Sequence, residues 1–404
     1  MRKWIFGGLG LILIAAVAFF VFAPGIVENQ QNKVQPVAFA VSPRAAALQR
    51  TLDVADMHAD SLLWKRDLLT RSTRGMVDLP RLQEGHYALQ IFSSVTKTPK
   101  GQNYDGNSGD TDNITTLVIA DLQPVRTWGS LLQRSLYHAD KLKDFAARSN
   151  GQMRLITSAQ DLMRLMVDRA DPGRWPVAPP SIVTSPPRQP PVGAMLSIEG
   201  LQDLEGNIAN LDKLYAAGFR MAGLAHFFDN DVAGSMHGLK KGGLTPLGVA
   251  VVRRMEKLGM VVDVAHSSHA AVAEIIAMAR RPLVSSHGGV QATCKVNRNL
   301  TDDEVRGIAK TGGVIGIGYW DAAVCSTKPA DVAKAIAYVR DLVGIDHVGL
   351  GSDFDGAVTT GFDASQVAAI TQALIDRGFS DDDIRKVMGG NVIRVLLAGM
   401  VPGK

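Results

Sequence analysis

The stretch DVADMHADSLLW, residues 53–64, places an imidazole and a carboxylate two positions apart at the end of an apolar run. Alternate side chains of a β-strand lie on the same face, so His58 and Asp60 would point to one place. A single pair of this kind is more often a hydrogen-bonded polar pair at the end of a strand. It becomes half of a metal site only when other strand ends bring further ligands to the same place.

Other apolar runs of the chain also end in ionisable residues. The segments SIEG, LAH, DVAH, VSSH and GSD place five such residues at the ends of further predicted strands: Glu199, His226, His266, His287 and Asp353. A histidine with an ordinary structural role has no reason to recur at the same place on successive strands, so the recurrence indicates a shared site. The remaining histidines fall in loops, helices or strand starts and are interpreted as ordinary: His86, His138, His237, His269 and His347.

Histidine and carboxylate ligands without thiolates are typical of a hydrolytic zinc site or of a similar divalent metal. Three of these four histidines, together with Asp60 and Glu199, are already more ligands than one catalytic zinc ion takes, because such an ion keeps a coordination position open. The set suits two metals roughly 3.5–4 Å apart, bridged by a carboxylate and by a hydroxide. The pattern therefore indicates metal-assisted hydrolysis.

Apolar runs alternate with amphipathic helical patterns along most of the chain, which predicts a parallel sheet. Eight such runs predict an α/β fold, a (β/α)8 TIM barrel. A doubly wound open sheet is the alternative, and the convergence of polar residues on one mouth favours the barrel. The predicted strands are Leu52–His58, Tyr87–Ser93, Gly193–Glu199, Met221–His226, Met260–His266, Leu283–His287, Val314–Gly318 and His347–Asp353.

A long segment separates the second and third predicted strands, and we interpret it as an insertion into the barrel. Its Pro-rich part, residues 171–191, holds eight of the 18 prolines of the chain. Proline at this density excludes a helix or a central strand. We interpret this part as exposed, either as a lid or as a contact surface.

Residues 1–23 combine a basic start with an uncharged run that can just span a bilayer. We interpret them as a membrane anchor that places the catalytic domain outside the cytoplasm, in the periplasm or the extracellular space. The alternative is a signal peptide, cleaved after Ala23 or Ala40, and a secreted product. Residues 24–48 are interpreted as a tether and residues 49–404 as the TIM-barrel domain.

The composition excludes several other classes of function. The 404 residues carry a formal net charge of +4, and their lysines and arginines are dispersed rather than grouped in a stripe, so nucleic-acid binding has little support. The two cysteines, Cys294 and Cys325, form no C-x-x-C pair of the kind that binds zinc or exchanges disulfides. One disulfide is possible if the chain lies in an oxidising compartment.

The sequence resembles the membrane (renal) dipeptidases, a family of zinc-dependent TIM-barrel hydrolases related to the amidohydrolases. The resemblance covers roughly residues 50–398 and depends on the segments DMHADSLLW, VDLPRLQEGHYALQIFS, SIEG, VVDVAHSS, VSSHGGVQATCKVNRN, GLGSDFDG and GGNVIRVL. It implies cleavage of the peptide bond of dipeptides, by attack of a hydroxide that bridges two zinc ions.

The resemblance also implies a role for each ligand. His58 and Asp60 would bind the first zinc ion. His266 and His287 would bind the second, and Glu199 would bridge the two.

Further residues match the family's substrate-binding and catalytic positions. His226 would polarise the substrate and stabilise the oxyanion of the tetrahedral intermediate. Arg298, in VNRN, would bind the substrate's C-terminal carboxylate, and Asp353 would handle the proton that goes to the leaving amine. Asn391, in GGN, would lie near the substrate, whereas Asp355 is interpreted as shaping its loop.

The family further implies a disulfide between Cys294 and Cys325 and a homodimer. Mammalian members are lipid-anchored at the C-terminus, whereas the hydrophobic segment of this chain is N-terminal. The alternative enzyme is a related amide or lactone hydrolase with an altered pocket. A catalytically inactive, membrane-tethered binding protein is the alternative from another class, and the presence of every expected ligand disfavours it.

Overall fold

Strands and helices alternate along most of the chain, which a computed structural model describes over residues 2–175 and 189–400. The strands are β1 (Lys33–Val34), β2 (Val54–Ala59), β3 (Tyr87–Val95), β4 (Met153–Leu155), β5 (Val192–Glu199), β6 (Phe219–Gly223), β7 (Val261–Asp263), β8 (Val284–Ser285), β9 (Val314–Ile317), β10 (Val348–Leu350) and β11 (Thr359–Thr360). The helices are α1 (Arg2–Gln31), α2 (Pro43–Gln49), α3 (Leu79–Glu84), α4 (Ile114–Ala120), α5 (Leu131–Arg148), α6 (Ala159–Arg169), α7 (Ala209–Ala217), α8 (Pro246–Leu258), α9 (His269–Met278), α10 (Asp302–Lys310), α11 (Asp321–Val324), α12 (Pro329–Val343), α13 (Ala368–Asp376), α14 (Asp381–Arg385) and α15 (Asn391–Gly399).

Parallel strands form a closed barrel, in the order β3-β2-β10-β9-β8-β7-β6-β5, and the pairing of β3 with β5 closes the ring. Every residue of β2, β3 and β5 is buried, as expected when helices cover the outside of a filled barrel. The predicted barrel is confirmed, and each predicted strand contributes to it. Because the ring is closed, the alternative of a doubly wound open sheet is wrong.

The helices between the later strands begin and end where their capping residues predict. Thr245 caps α8 with its side chain, and Gly259 ends that helix in the left-handed conformation, with φ 72°. Thr301 and Glu304 form a reciprocal capping box at the start of α10. The N-terminal caps satisfy amides that a helix leaves unpaired, and they fix the ends of the loops that face the barrel mouth, whereas Gly259 satisfies carbonyls at the opposite end.

The segment between the second and third barrel strands contains α4, α5, β4 and α6. β4 adds to the edge of β5 beside the ring. Residues 176–188 of the Pro-rich stretch lie outside the described residues. The interpretation of that stretch as an exposed lid or contact surface therefore stays a prediction.

The N-terminal region differs from an anchor followed by a loose tether. α1 continues to Gln31, β1 pairs in parallel with β11, and α2 follows, so residues 24–48 include ordered elements that contact the barrel domain. Within the part of the chain that the structure describes, no helix combines the length and the apolar character needed to cross a bilayer. The predicted membrane anchor is not confirmed.

Cys294 and Cys325 form a disulfide, which confirms the pairing implied by the family. The bond joins residues 31 positions apart and closes the loop that carries Arg298. In the chain-entropy model, closure of a loop of this size contributes about 3–4 kcal/mol to the free energy of unfolding.

Candidate active site

The residues predicted for a metal site meet at the carboxyl ends of the barrel strands, and all of them are buried. His58 lies in β2 and Glu199 ends β5, whereas the others follow their strands by one to three residues. Active sites of TIM barrels lie at this mouth. The residues that the fold brings together are His58, Asp60, Glu199, His226, His266, His287 and Asp353.

Glu199 lies at the centre of this group, and its two carboxylate oxygens face different neighbours. Its Oε1 lies 3.0 Å from Nε2 of His266 and 3.3 Å from Nε2 of His287. The same oxygen lies 3.5 Å from Nε2 of His226. Its Oε2 lies 3.5 Å from Nε2 of His58. One carboxylate therefore reaches two sets of potential ligands, as a bridge between two metal ions requires.

The second set of ligands lies around His58. Its Nε2 lies 3.4 Å from Oδ1 of Asp60 and 3.9 Å from Oδ1 of Asp353. Three overlapping groups have ligand atoms within 4.8 Å of one another: His58 with Glu199 and His287, Glu199 with His226 and His266, and His58 with Asp60 and Asp353. His266 and His287 fall in different groups, so their assignment to one metal ion stays a prediction.

The arrangement of the donor atoms fits a metal better than a hydrogen-bond network. Nε2 of His58, Oδ1 of Asp60 and Oε2 of Glu199 are buried and have no hydrogen-bond partner within the described residues. Nε2 of His266 and Nε2 of His287 face each other at 3.0 Å. Converging nitrogen and oxygen lone pairs are what zinc and similar divalent cations bind.

Two carboxylates behind the ligands hold the strand ends in place. Asp56 accepts hydrogen bonds from the backbone amides of His58 at 2.9 Å and of Ser352 at 3.0 Å. Asp263 accepts one from the backbone amide of Ser286 at 2.8 Å. Each ties its own strand to the loop after a neighbouring strand, which fixes the positions from which the ligands project. The ligand pattern alone does not predict either residue.

Burial and neighbouring charges together set the protonation of the site: burial alone would lower the pKa of His58, but Glu199 and Asp60 raise it well above its ordinary value. Burial raises the pKa of Asp353 well above its ordinary value, and the negative charges of Asp60 and Glu199 raise it further. Burial, followed by the charge of Asp60, also raises the pKa of Glu199. Burial lowers the pKa values of His266 and His287 well below the ordinary value. Neutral imidazoles are the form that binds metal, and a divalent cation would relieve the repulsion between the carboxylates.

Two residues of the site have a left-handed backbone, with φ 61° at His266 and 59° at Asp353. For a residue other than glycine this conformation costs on the order of 1–3 kcal/mol, and it persists only where the surrounding structure imposes it. The strained backbone therefore occurs at two of the residues whose side chains converge at the site.

Arg298 is buried beside the ligands and is held from three sides. Its Nη1 donates to the carbonyl of His287 at 3.1 Å, and its Nη2 lies 3.1 Å from Nε2 of His266. Its guanidinium also lies 4.8 Å from the ring centre of Trp320. Gly288, at φ +145°, leaves room for it, because a Cβ there would lie 2.5 Å from Nη1. A buried guanidinium beside the ligands can pair with a carboxylate in a fork.

A cavity of about 620 Å³ opens onto this group. It reaches Asp60, Glu199, His226, Arg298 and Asp353, so ligands, guanidinium and carboxylate all border one space. Its volume lies within the range of roughly 300–1,000 Å³ that is typical of small-molecule sites.

The sequence of residues 185–399 matches the family model of the membrane dipeptidases, peptidase family M19. The chain belongs to the membrane dipeptidase family. Dipeptidase aclJ of Aspergillus oryzae is 30% identical over 378 residues, which cover 88% of this chain and 80% of that protein. A protein described as uncharacterized, from the pqqA 5′ region of Klebsiella pneumoniae, is 30% identical over 271 residues, which cover 63% of this chain and 92% of that protein.

Solved structures share the fold of this membrane dipeptidase family member. The probable dipeptidase PvdM of Pseudomonas aeruginosa superimposes with a TM-score of 0.72 at 22% identity, covering 88% of this chain and 99% of that one. A metallo peptidase of Rhodobacter sphaeroides, solved with a phosphinate mimic of the dipeptide L-Ala-D-Ala, gives a TM-score of 0.67 at 21% identity, covering 86% and 99%. The likenesses agree with the barrel, and family membership makes the chain a metallohydrolase of the dipeptidase type.

Asn391 is the exception among the residues predicted at the site. Its side-chain amide donates to the carbonyl of Ile345 at 2.7 Å and to that of Val348 at 2.8 Å. Val348 is the first residue of β10, so Asn391 lies at the end of the barrel opposite the ligands. Its role is to tie α15 to the start of that strand, which corrects the predicted substrate contact.

Asp355 shapes its loop, as predicted. Its carboxylate accepts hydrogen bonds from the hydroxyl of Ser61 at 2.5 Å and from the backbone amide of Met76 at 2.6 Å, and it also pairs with Arg66.

His237, which the sequence places in a loop and which is interpreted as ordinary, lies beside the active site. Its ring stacks on Phe227 with centroids 4.6 Å apart and lies 5.2 Å from the ring of His266. Its Nδ1 lies 3.0 Å from the carbonyl of Tyr104. The loops after two different strands bring these rings together, so no local pattern indicates the contact.

Proposed function

We propose that this chain hydrolyses the peptide bond of dipeptides with two bound zinc ions. One observation carries the proposal: Glu199 directs one oxygen at His266 and His287 and the other at His58, while the buried Arg298 borders the same cavity. A related amide or lactone hydrolase needs the ligands but not the guanidinium. The complete ligand set disfavours an inactive binding protein.

The residues that would hold the ions are His58 and Asp60 for one, His266 and His287 for the other, and Glu199 for both. When bound, the two ions would lower the pKa of water, so that it serves as a nucleophile at neutral pH, and would polarise the scissile carbonyl.

The other residues of the site position the substrate and move its proton. Arg298 pairs with the C-terminal carboxylate, which places the scissile carbonyl beside Glu199. His226 faces Glu199 and donates to the oxygen that becomes negative in the transition state. Asp353, whose pKa burial raises, holds the proton that the leaving amine requires.

Replacement of Arg298 by alanine tests the recognition of the carboxylate. A charge-assisted hydrogen bond contributes roughly 1.5–3 kcal/mol, so kcat/KM for a dipeptide should fall about 10- to 100-fold. The measurement compares a dipeptide with its C-terminal amide, which lacks the carboxylate. The wild type should prefer the dipeptide, and Arg298→Ala should largely lose that preference while its metal content stays unchanged.

The matched variant is Arg306→Ala, which removes an exposed arginine eight positions further along the chain. It should retain the preference. If the wild type cleaves the dipeptide and its amide equally well, Arg298 does not have this role and the amide-hydrolase alternative becomes the better one.

We also propose that the catalytic domain faces an oxidising compartment, attached to a membrane by its N-terminal residues. The bond between Cys294 and Cys325 supports the compartment, because cytosolic thiols are kept reduced. Protein taken from its native cells should stay with the membrane fraction after a high-salt wash, and neither cysteine should react with a thiol reagent before reduction. Two reactive thiols, or recovery in the soluble fraction, would contradict the compartment or the attachment respectively.

A further inference from the structure

The cavity above the ligands is bounded on one side by α1, which precedes the barrel. α1 contributes five residues to the lining: Phe19, Ala23, Pro24, Val27 and Gln31. The rest of the apolar lining includes Trp64, which follows β2, Val95 of β3 and Leu117 of α4. An apolar wall therefore lies next to the polar floor formed by the ligands.

α1 is fixed to the barrel by buried charges. Glu28 is 1% exposed, and its two oxygens lie 2.7 Å from Nε of Arg66 and 3.1 Å from Nε of Arg74. Arg66 also pairs with Asp355, two residues after Asp353. Removal of α1 would take this buried carboxylate from both guanidinium groups, leaving Arg66 with Asp355 alone and Arg74 without Glu28. The wall is therefore a built part of the cavity.

Two further contacts hold the chain just after α1. The side chain of Asn32 accepts a hydrogen bond from the backbone amide of Ala357 at 2.9 Å, and Lys33 pairs with Thr359 between β1 and β11. Both contacts involve the segment that follows Asp353. The position of α1 is thereby tied to the side of the site that carries Asp353.

The positions of Arg298 and α1 determine which half of a dipeptide the wall would meet. Arg298 contacts His266 and His287, and α1 is tied to the loop of Asp353, near His58. With the substrate's carboxylate on Arg298, the amino-terminal residue would extend across the ligands toward the side of α1. Val27 is 38% exposed although it lines this cavity, so a substrate side chain can cover it.

We propose that α1, together with Trp64, Val95 and Leu117, forms a specificity pocket for a large apolar side chain on the amino-terminal residue of the dipeptide, with Val27 as a specificity-determining residue. The proposal rests on the proposed dipeptidase function. Burial of apolar surface from both partners provides the selectivity, since contact with an apolar group changes kcat/KM by about 10- to 200-fold.

The test uses the full chain, loaded with zinc, and the substrates Phe-Ala and Gly-Ala. The wild type should show a higher kcat/KM for Phe-Ala. Val27→Asp places a charge in the wall and should lower the ratio of the two kcat/KM values about tenfold. Val27→Leu, which keeps the wall apolar, should retain the preference.

Ile26→Asp is the matched control, because Ile26 is the adjacent residue of α1, is 54% exposed and does not line this cavity. It should leave the ratio unchanged. An unchanged ratio in Val27→Asp, or an equal loss in Ile26→Asp, overturns the pocket and leaves the dipeptidase function intact. A wild type that cleaves neither dipeptide overturns both.

Discussion

Replacement of Glu199 by glutamine should remove bound metal and abolish hydrolysis of every substrate. The change keeps the size of the side chain but removes the charge that faces His58 on one side and His266 on the other. We expect kcat/KM to fall by more than about 10³-fold, beyond the loss of a single oxyanion contact, which costs up to about 10³. The measurement pairs turnover of a dipeptide with metal content per chain, which should be two ions in the wild type.

The matched control is Glu205→Gln, which removes a carboxylate six residues further along that accepts hydrogen bonds from Ser130 and Leu131 at the start of α5. It should keep both ions and full activity. A Glu199→Gln variant that binds two ions and turns over normally would exclude the bridging role. One tightly held ion in a fully active wild type would exclude the two-metal proposal.

Replacement of Asp353 by asparagine should lower kcat by about 10²- to 10⁴-fold, the range typical of general acid–base groups. Burial and two neighbouring carboxylates raise the pKa of Asp353, and its Oδ1 lies 3.9 Å from Nε2 of His58, beside the ligands. The proton that it holds is needed only when the leaving group is a poor one. The loss should therefore be larger for a dipeptide than for the corresponding ester, whose leaving group departs without protonation.

Metal content separates this role from that of a ligand, because Asp353 forms one of the potential ligand groups with His58 and Asp60. Retention of both ions with a loss specific to peptide substrates supports proton transfer. Loss of an ion together with equal loss for peptide and ester would assign Asp353 to metal binding instead.

The barrel strands could be predicted from sequence because each is a short apolar run that ends in polar residues. The residues at which the strands end could not be predicted in the same way. The fifth predicted strand runs to His266, whereas β7 ends at Asp263, because the chain turns out of the sheet and reaches His266 with a left-handed backbone. A run of apolar residues does not indicate where the hydrogen bonds between neighbouring strands end.

The errors at the site have a common physical cause. Asn391 follows two glycines near the end of the chain, and its sequence alone does not tell which end of the barrel its amide meets. His237 meets His266 only because the long loop after β6 folds over the mouth where the short loop after β7 places His266. Motif spacing predicts residues that project directly from strand ends, whereas the contacts of residues on helices and long loops depend on the tertiary fold.

The packing of α1 against the barrel could not be predicted from the sequence for a different reason. Glu28 lies in a polar, Pro-containing stretch that is typical of a linker. Its partners, Arg66 and Arg74, lie about 40 residues further along the chain, at no spacing that indicates a pair. A buried ion pair between distant segments leaves no periodic signal.

The attachment of α1 also bears on how the N-terminus can be processed. Cleavage after Ala23 would leave Glu28 with its two arginines, and β1 with β11. Cleavage after Ala40 would remove both, so that Arg66 would keep only Asp355, Arg74 would lose Glu28, and β11 would lose its partner strand. The two possible maturation sites therefore have opposite consequences: the first keeps most of the wall of the substrate cavity, and the second produces a shortened chain that lacks it.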